Sequence, residues 1–593
     1  MSPAGPGHAV GLRPSTARGT ATDRNPVAAP TNGYLASQLP LTLLVSRRRS
    51  ARSLNFLRKL ARSIVILLMS AAASEAADYF VSPAGDDLNP GTARTQAWRT
   101  IGRVNQAVFG PGDRVLFEGG RTFFGSLYFD PSDQGTAASP IGVASYGVGR
   151  ASIHSGANFG FFAYNVGGYV LRNIDFVGDG PALNSDSGIV FYNDRPDRRR
   201  LDYLRVDRVA VTGYGQYGLL IAALNKSGYR NVRVSNVDSH HNALAGITVS
   251  GHFSTSLLGY AHQNIRIDHC RVWQNSGRAG LSSHSGSGII MSDVDNGLIE
   301  YSVAYENGAL NTANGGPIGI WAWDANRIVI QHNESHHNRT SSQTDGGGFD
   351  LDGGMTRSVM QYNYSHDNDG AGYLLAQFPT ARPFSGNTIR YNISQNDARK
   401  NSFGAIHVWN GGSGIERCEI HNNTVYVSPA PSGTPRAVYF QTSARDLHVR
   451  NNILITTGDL RLVDAVVGQT GVLFQGNDYW SSGGNFRVRW EGAEYWALTN
   501  WRGTTGQEKL GGGPVGYRID PRLVNAGGGG TLNDATRLPN LSAYRLQAGS
   551  LLIDSGLDLP VLFGFDDGSR DFHGTALPQG DRVDIGAHEA TSR

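Results

Sequence analysis

Two aspartates stand two residues apart in Gly348-Phe349-Asp350-Leu351-Asp352. Side chains alternate along an extended strand, so if Phe349 and Leu351 face a core, Asp350 and Asp352 share the opposite face, about 6.6 Å apart. At or near that separation one carboxyl can protonate a leaving group while the other activates a water across a glycosidic bond. The same phase puts Trp321 and Trp323 of Gly319-Ile320-Trp321-Ala322-Trp323, and His407 and Trp409 of Ala405-Ile406-His407-Val408-Trp409, on the matching face. Indole rings suit the apolar faces of sugars, and carboxylates suit their hydroxyls. Asp350 and Asp352 are therefore candidate catalytic residues. Trp321, Trp323, His407 and Trp409 are candidate substrate contacts, and all six are expected to look out into solvent as one stripe.

A second stripe contains His240, Trp273, Tyr305, His336 and His366, with His241, Gln274, Glu306, His337 and Asp367 one place further on. Histidines there could move protons or bind metal. His366 and Asp367 join the catalytic candidates, and His337 the substrate contacts. The loop from Arg339 to Gly347 ends Thr344-Asp345-Gly346-Gly347 and leads into the Asp350 strand. Asp345, Asp350, Asp352, Asp367 and Asp369 form an oxygen-rich set that suits Ca²⁺, with Asp345 and Asp369 as its ligands, although their spacing is not that of an EF-hand. Lys400, beside Arg399, offers a cation for substrate binding or for abstracting a proton next to a uronate carboxyl.

What must position these groups is a repeat. Five nine-residue segments align without gaps on a terminal Asn: Val234 to Asn242, Ile267 to Asn275, Ile299 to Asn307, Ile330 to Asn338 and Met360 to Asn368. A sixth, Ile389 to Asp397, ends in Asp, and the spacings between ends run 33, 32, 31, 30 and 29 residues. Drifting periods suit stacked coils with variable loops. After each segment comes a loop and a short strand whose inward residues would be Ile247, Ile289, Ile320, Phe349, Tyr373 and Ile406. One repeat cannot bury such a face, whereas a stack buries it continuously. Asn at the segment ends fits a turn, since it tolerates left-handed backbone and can satisfy buried backbone groups.

These Asn-ended repeats, from about Val170 to Ile455, resemble the pectate-lyase-like superfamily of right-handed parallel β-helix proteins, secreted bacterial members in particular. Tyr79 to Gly85, the helical pattern Ile101, Val104, Ala107 and Val108, and the tail segments Tyr544 to Gly549 and Val583 to Glu589 look familiar from the same members. The resemblance implies an all-β solenoid with a short N-terminal capping helix and an irregular C-terminal cap. It leaves activity open, because one fold hosts many functions.

Glycine fills 77 of 593 positions and charged residues 17%, with only four lysines, a balance that fits short strands and tight turns. The net charge of +3 hides an asymmetry: residues 1–76 carry ten Lys and Arg against Asp23 and Glu75, which leaves the remainder at −5. An acidic body gives no reason to expect nucleic acid as partner. Arg58 to Arg62, the apolar run Ile64 to Met69 and the small residues near Ala76 have the order of a signal peptide, too short to span a bilayer. Residues 1–76 are thus expected to be a leader plus signal peptide, 77–165 a cap with the first coils, 166–480 the coil repeats and 481–593 a C-terminal cap. The mature protein is expected outside the cytoplasm, secreted or periplasmic, as a monomer without a transmembrane segment. Cys270 and Cys418 lie several coils apart and lack metal-ligand spacing, so buried free thiols are expected.

Three functions fit: a glycoside hydrolase degrading a polysaccharide, a lyase acting on a uronate-containing polymer, and a glycan-binding surface protein without catalysis. No cofactor is required beyond the possible Ca²⁺.

Overall fold

A computed structural model describes residues 76–591 apart from Ser413. The expected leader and signal peptide, up to residue 75, lie outside the described residues. Parallel strands dominate, in two long sheets of 25 and 14 strands. In the 14-stranded sheet each strand pairs with its counterpart one coil before and one coil after, so its order follows the chain from Leu127–Phe129 to Val488–Trp490, where Ala493–Tyr495 adds one antiparallel strand. The chain is a coil stack.

The inward column runs as the alternation requires. Ile247, Ile289, Ile320, Phe349, Tyr373 and Ile406 are mutual partners in register, and all are fully buried. Phe349 and Tyr373 stack with centroids 5.3 Å apart. Cys270 and Cys418 are buried free thiols.

The Asn column is a hydrogen-bonded ladder. Asn242, Asn275, Asn307, Asn338 and Asn368 each donate from Nδ2 to the side-chain oxygen of the next coil's residue at 2.8–3.1 Å, ending on Asp397 Oδ1. Each also accepts or donates backbone bonds inside the turn, where no water reaches, so an unmatched amide would be costly. A second ladder went unread in the sequence. It runs Asn333, Asn363, Asn392, Asn423, Asn452 and Asn477, and ends on Glu508 Oε1.

The chain beyond the last coils returns along the outside. Leu538, Tyr544, Leu552 and Ile585 pack with Val303, Tyr364, Ile393 and Ile453 into a second apolar cluster. Near the other end, Ile101 and Val104 of the short helix Ile101–Val104 belong to the continuous core. Among the described residues no helix is long and apolar enough to cross a membrane.

Candidate functional site

The strands Ser287–Ser292, Ile318–Trp323, Gly347–Asp352, Tyr373–Gln377 and Gly404–Asn410 set the outward face in register. One column reads Thr248, Ile290, Trp321, Asp350, Leu374, His407, and beside it Ser292, Trp323 and Asp352 align. The phase expected from the sequence holds: Phe349 and Leu351 point in, and Asp350 and Asp352 point out next to the two indoles.

Solvent exposure does not hold. Asp350 and Asp352 are each 3% exposed, Trp321 2%, Trp323 8% and His407 1%. The reason is a roof of loops whose sequence shows no periodicity. Phe253 and Phe378 pack on Trp323 at 5.7 and 6.2 Å between centroids, and His284 meets Trp321 edge-on at 5.1 Å. Arg382 joins two of these loops, donating from Nη1 to Gly259 O at 3.0 Å and lying over the Tyr260 ring at 4.7 Å.

Under that roof Asp345 completes an acidic trio. Its carboxylate accepts the Gly316 N–H, and a Cβ placed on Gly316 would stand 2.8 Å from the His284 Cβ, so Gly316 leaves room for His284. Burial pushes Asp345 up to about 6. Burial, followed by repulsion from Asp352 and Asp345, holds Asp350 well above the usual carboxylate range. Asp352 accepts the Gly353 N–H at 2.7 Å. Burial lowers His284 to about 4, which keeps it neutral.

Several polar atoms here are buried without a protein partner: Asp350 Oδ1, Trp321 Nε1, Thr248 Oγ1 and His284 Nδ1. Buried polar groups are nearly always paired, so a cluster of unpaired ones on one face fits a surface built for a hydroxyl-rich ligand. His284 had no signal in the sequence beyond its type, because only a folded loop brings it to Trp321, whereas Thr248 follows the inward Ile247 on its strand and stands three coils from Asp350 on the same outward column.

Along the same face lies a buried charge network. Lys226 Nζ donates to Asp293 Oδ1 at 2.7 Å, and Arg382 Nη2 donates to Asp324 Oδ2 at 2.8 Å. Burial, with repulsion from Asp293, raises Asp324 to about 7 although Arg382 opposes it.

The remaining candidates lie elsewhere or are occupied. His366 sits on the other sheet, fully buried, bonded to Glu334 and Asp367 and covered by the returning tail. His366 and Asp367 therefore do not join Asp350, contrary to expectation, because they belong to a strand on the far side of the Asn turn. His337 lines a separate surface groove with His241, Gln274, Glu306 and Arg339. Lys400 Nζ donates to the carbonyls of Thr340 and Ser342, so it braces the loop that carries Asp345 instead of standing free as a base. Trp409 is half-buried against the roofed cluster. His407 is held by the Gly404 N–H and by Gln441, and Leu374 separates it from Asp350. Asp369 Oδ1 accepts from Arg339 at 3.0 Å and its Oδ2 from the Thr340 N–H, while Asp345 turns to Gly316, so the two do not form the Ca²⁺ pair expected of them.

Parts of this chain are similar to known proteins. A family described as "Right handed beta helix region" matches residues 280–452. A lacto-N-biosidase of Bifidobacterium longum subsp. longum is 26% identical over 453 residues, covering 60% of this chain but 27% of its own. Pectate lyase L of Paenibacillus polymyxa is 24% identical over 352 residues, covering 56% of this chain and 67% of its own. This chain thus spans about a quarter of the biosidase's length. Among solved structures, a GH136 lacto-N-biosidase from Eubacterium ramulus aligns with TM-score 0.48 and 21% identity over 67% of this chain and 69% of that one. Pectate lyase Pel9A aligns with TM-score 0.43 and 17% identity over 87% and 97%. With its coils stacked in parallel, its Asn ladders and the family match inside the repeats, the chain has the fold of a parallel β-helix.

Proposed function

We propose that this protein is an exported glycoside hydrolase in which Asp345, Asp350 and Asp352 supply the acid and the base for cleaving a glycosidic bond. The observation that carries the reading is the acidic trio itself, roofed over, flanked by Trp321 and Trp323, and left with unpaired polar atoms on the same face. Carboxyls forced together in a dry site cannot all ionise, so the trio keeps a proton at neutral pH. Asp350 holds it, as burial and two acidic neighbours dictate, and is the proton donor to the leaving oxygen. Asp345 and Asp352, each accepting a backbone N–H, are the carboxylates that attack or activate water. His284 and Trp321 orient sugar hydroxyls through Nδ1 and Nε1.

The lyase alternative finds no free lysine or arginine at this site among the described residues. The cations nearby are engaged: Lys400 on loop carbonyls, Lys226 on Asp293, Arg382 on Asp324 and Arg399 on Ser428. A cluster of acids also repels a uronate. A roofed site favours an oligosaccharide or the end of a polysaccharide over the middle of a long chain. The relatives named lacto-N-biosidase and pectate lyase agree with a carbohydrate substrate. We further infer export by the basic and apolar leader, a monomeric mature chain, and closure of the coil ends by the Ile101–Val104 helix and the returning tail.

A panel of oligo- and polysaccharides incubated with the purified protein tests this. New reducing ends without the ultraviolet absorbance of an unsaturated uronate are expected. Asp350→Asn and Asp352→Asn should each lower kcat by at least about 100-fold, the lower end of what a positioned acid or base contributes. Unsaturated products, or unchanged turnover in both variants, would overturn the assignment. Mass spectrometry of the exported protein should place its N-terminus near Ala77.

A further inference from the structure

Away from the acidic trio, the outer face of the 25-stranded sheet carries a cluster that the proposed hydrolysis does not use. Glu334 and His336 lie on the same face of the strand Glu334–His336, and His366 is the register partner of His336 one coil later. The two imidazoles stack with centroids 4.8 Å apart and 9° between planes. All three side chains are buried, His366 and Glu334 completely. One donor atom from each lies within 4.8 Å of the others.

The surroundings are those of a ligand set. His366 Nδ1 shares a 2.9 Å hydrogen bond with Asp367 Oδ2, while its Nε2 faces Glu334 Oε1 at 3.2 Å. A carboxylate behind one ring nitrogen fixes the tautomer that presents the other, the arrangement that supports metal-bound histidines. Glu334 Oε2 is buried with no hydrogen-bond partner. The returning tail closes the cluster: the Leu532 N–H donates to Glu334 Oε1 at 2.7 Å, and Asn533 Oδ1 lies 3.0 Å from His336 Nε2.

We propose that Glu334, His336 and His366 bind a divalent transition-metal cation, best Zn²⁺, which pins the tail segment around Leu532 and Asn533 to the coil stack. Two imidazoles and one carboxylate suit borderline metals such as Zn²⁺, whereas Ca²⁺ takes oxygen donors. Donors about 2.1 Å from the ion stand no more than about 4.2 Å apart, so small ring rotations close the set. Asn533 Oδ1, 3.0 Å from His336 Nε2, would supply the fourth ligand. A site with no open position is structural, not catalytic.

The test uses the full chain after chelation and dialysis. Isothermal titration with Zn²⁺ should show one tight equivalent, Ca²⁺ none, and Zn²⁺ should raise the unfolding midpoint. His366→Gln and Glu334→Gln should each weaken that equivalent at least about 100-fold, and Asp367→Asn by about 10- to 100-fold, as for a group behind a ligand. If a variant does not fold, electron paramagnetic resonance of Cu²⁺ in the unmodified protein decides: coupling to two nitrogens is expected, and its absence refutes the site. No stoichiometric Zn²⁺ binding, or binding unchanged in both ligand variants, likewise overturns the proposal.

Discussion

Arg382 reaches across from one roof loop to Asp324, donating at 2.8 Å to a carboxylate that is fully buried, and its guanidinium also lies 3.5 Å from Asp293. Arg382, Lys226, Asp293 and Asp324 together hold two cations and two carboxylates out of water. Arg382→Met therefore strands two buried acids with one lysine. Removing one partner from a buried ion pair typically costs about 3 kcal/mol or more. Denaturant unfolding should show that loss, and limited proteolysis should cut within residues 251–261 or 378–383, the loops that Arg382 ties together. An unchanged midpoint with intact loops would mean that the network does not hold the roof.

The trio dictates a pH–rate profile with two limbs. Hydrolysis needs one carboxylate and one protonated acid. Asp345, at about 6, must lose its proton, so the rate should climb as pH rises through that value. Asp350, held well above the usual range, must keep its proton, so the rate should fall again at higher pH. Both limbs report the coupled group and not one residue alone. Asp345→Asn should abolish the acidic limb along with most of the turnover. A rate independent of pH between about 5 and 8 would contradict the assignment.

The coils and the phase of the outward face were legible because alternation is local: Phe349 and Leu351 in, Asp350 and Asp352 out, follows from five consecutive residues. The first Asn ladder was legible because its members end an ungapped segment. The second was not, since the fourth place of that segment reads Val237, Cys270 and Ser302 before it becomes Asn333. The roof over Asp350 and the tail contacts over Glu334 were invisible for a different reason. Arg382 meets Gly259 across 123 residues, and Leu532 meets Glu334 across 198, distances over which no periodicity carries information. Counting Trp321 and Asp350 as exposed followed from strand geometry alone, and long loops overruled it.

The Asn ladder gives a prediction with an internal control. Asn338 takes bonds from Asn307 Nδ2 at 3.0 Å and from the Asn307 N–H, and donates to Asn368 at 2.9 Å, all in the buried turn. Asn338→Ala leaves donors on one coil and an acceptor on the next unsatisfied, at about 1–3 kcal/mol for each group left bare. A third Asn stack, Asn231, Asn264 and Asn296, has the same amide-to-amide bonds on the exposed surface. There water replaces what is lost, so Asn264→Gly, which removes the amide but keeps the left-handed backbone of φ 55° that Asn264 adopts, should change stability by no more than about 0.5 kcal/mol. Equal effects of the two substitutions in urea unfolding would show that burial is not what gives the ladder its strength.

Asp478 makes stability fall as pH rises. Its carboxyl is fully buried in the strand Asp478–Ser482; it accepts the Ile519 N–H at 3.1 Å, and its Oδ2 has no partner. Burial, then repulsion from Asp520 and Glu508, raises it to about 8. The folded state therefore keeps a proton that the unfolded chain releases near pH 4, and linkage requires stability to decline between those values, by up to about 1.4 kcal/mol per pH unit. Above the folded value the decline stops, because both states are then ionised. Asp478→Asn stays neutral throughout and retains the acceptor for Ile519. Unfolding free energies of the two proteins should therefore nearly match at about pH 3, below both values, and diverge in favour of the variant as pH rises to about 8. Other buried acids, among them Asp324 at about 7 and Asp397 at about 6, tilt the curve the same way in both proteins and cancel in the difference. A difference that stays flat from acid to alkaline pH would show that Asp478 is ionised in the folded chain.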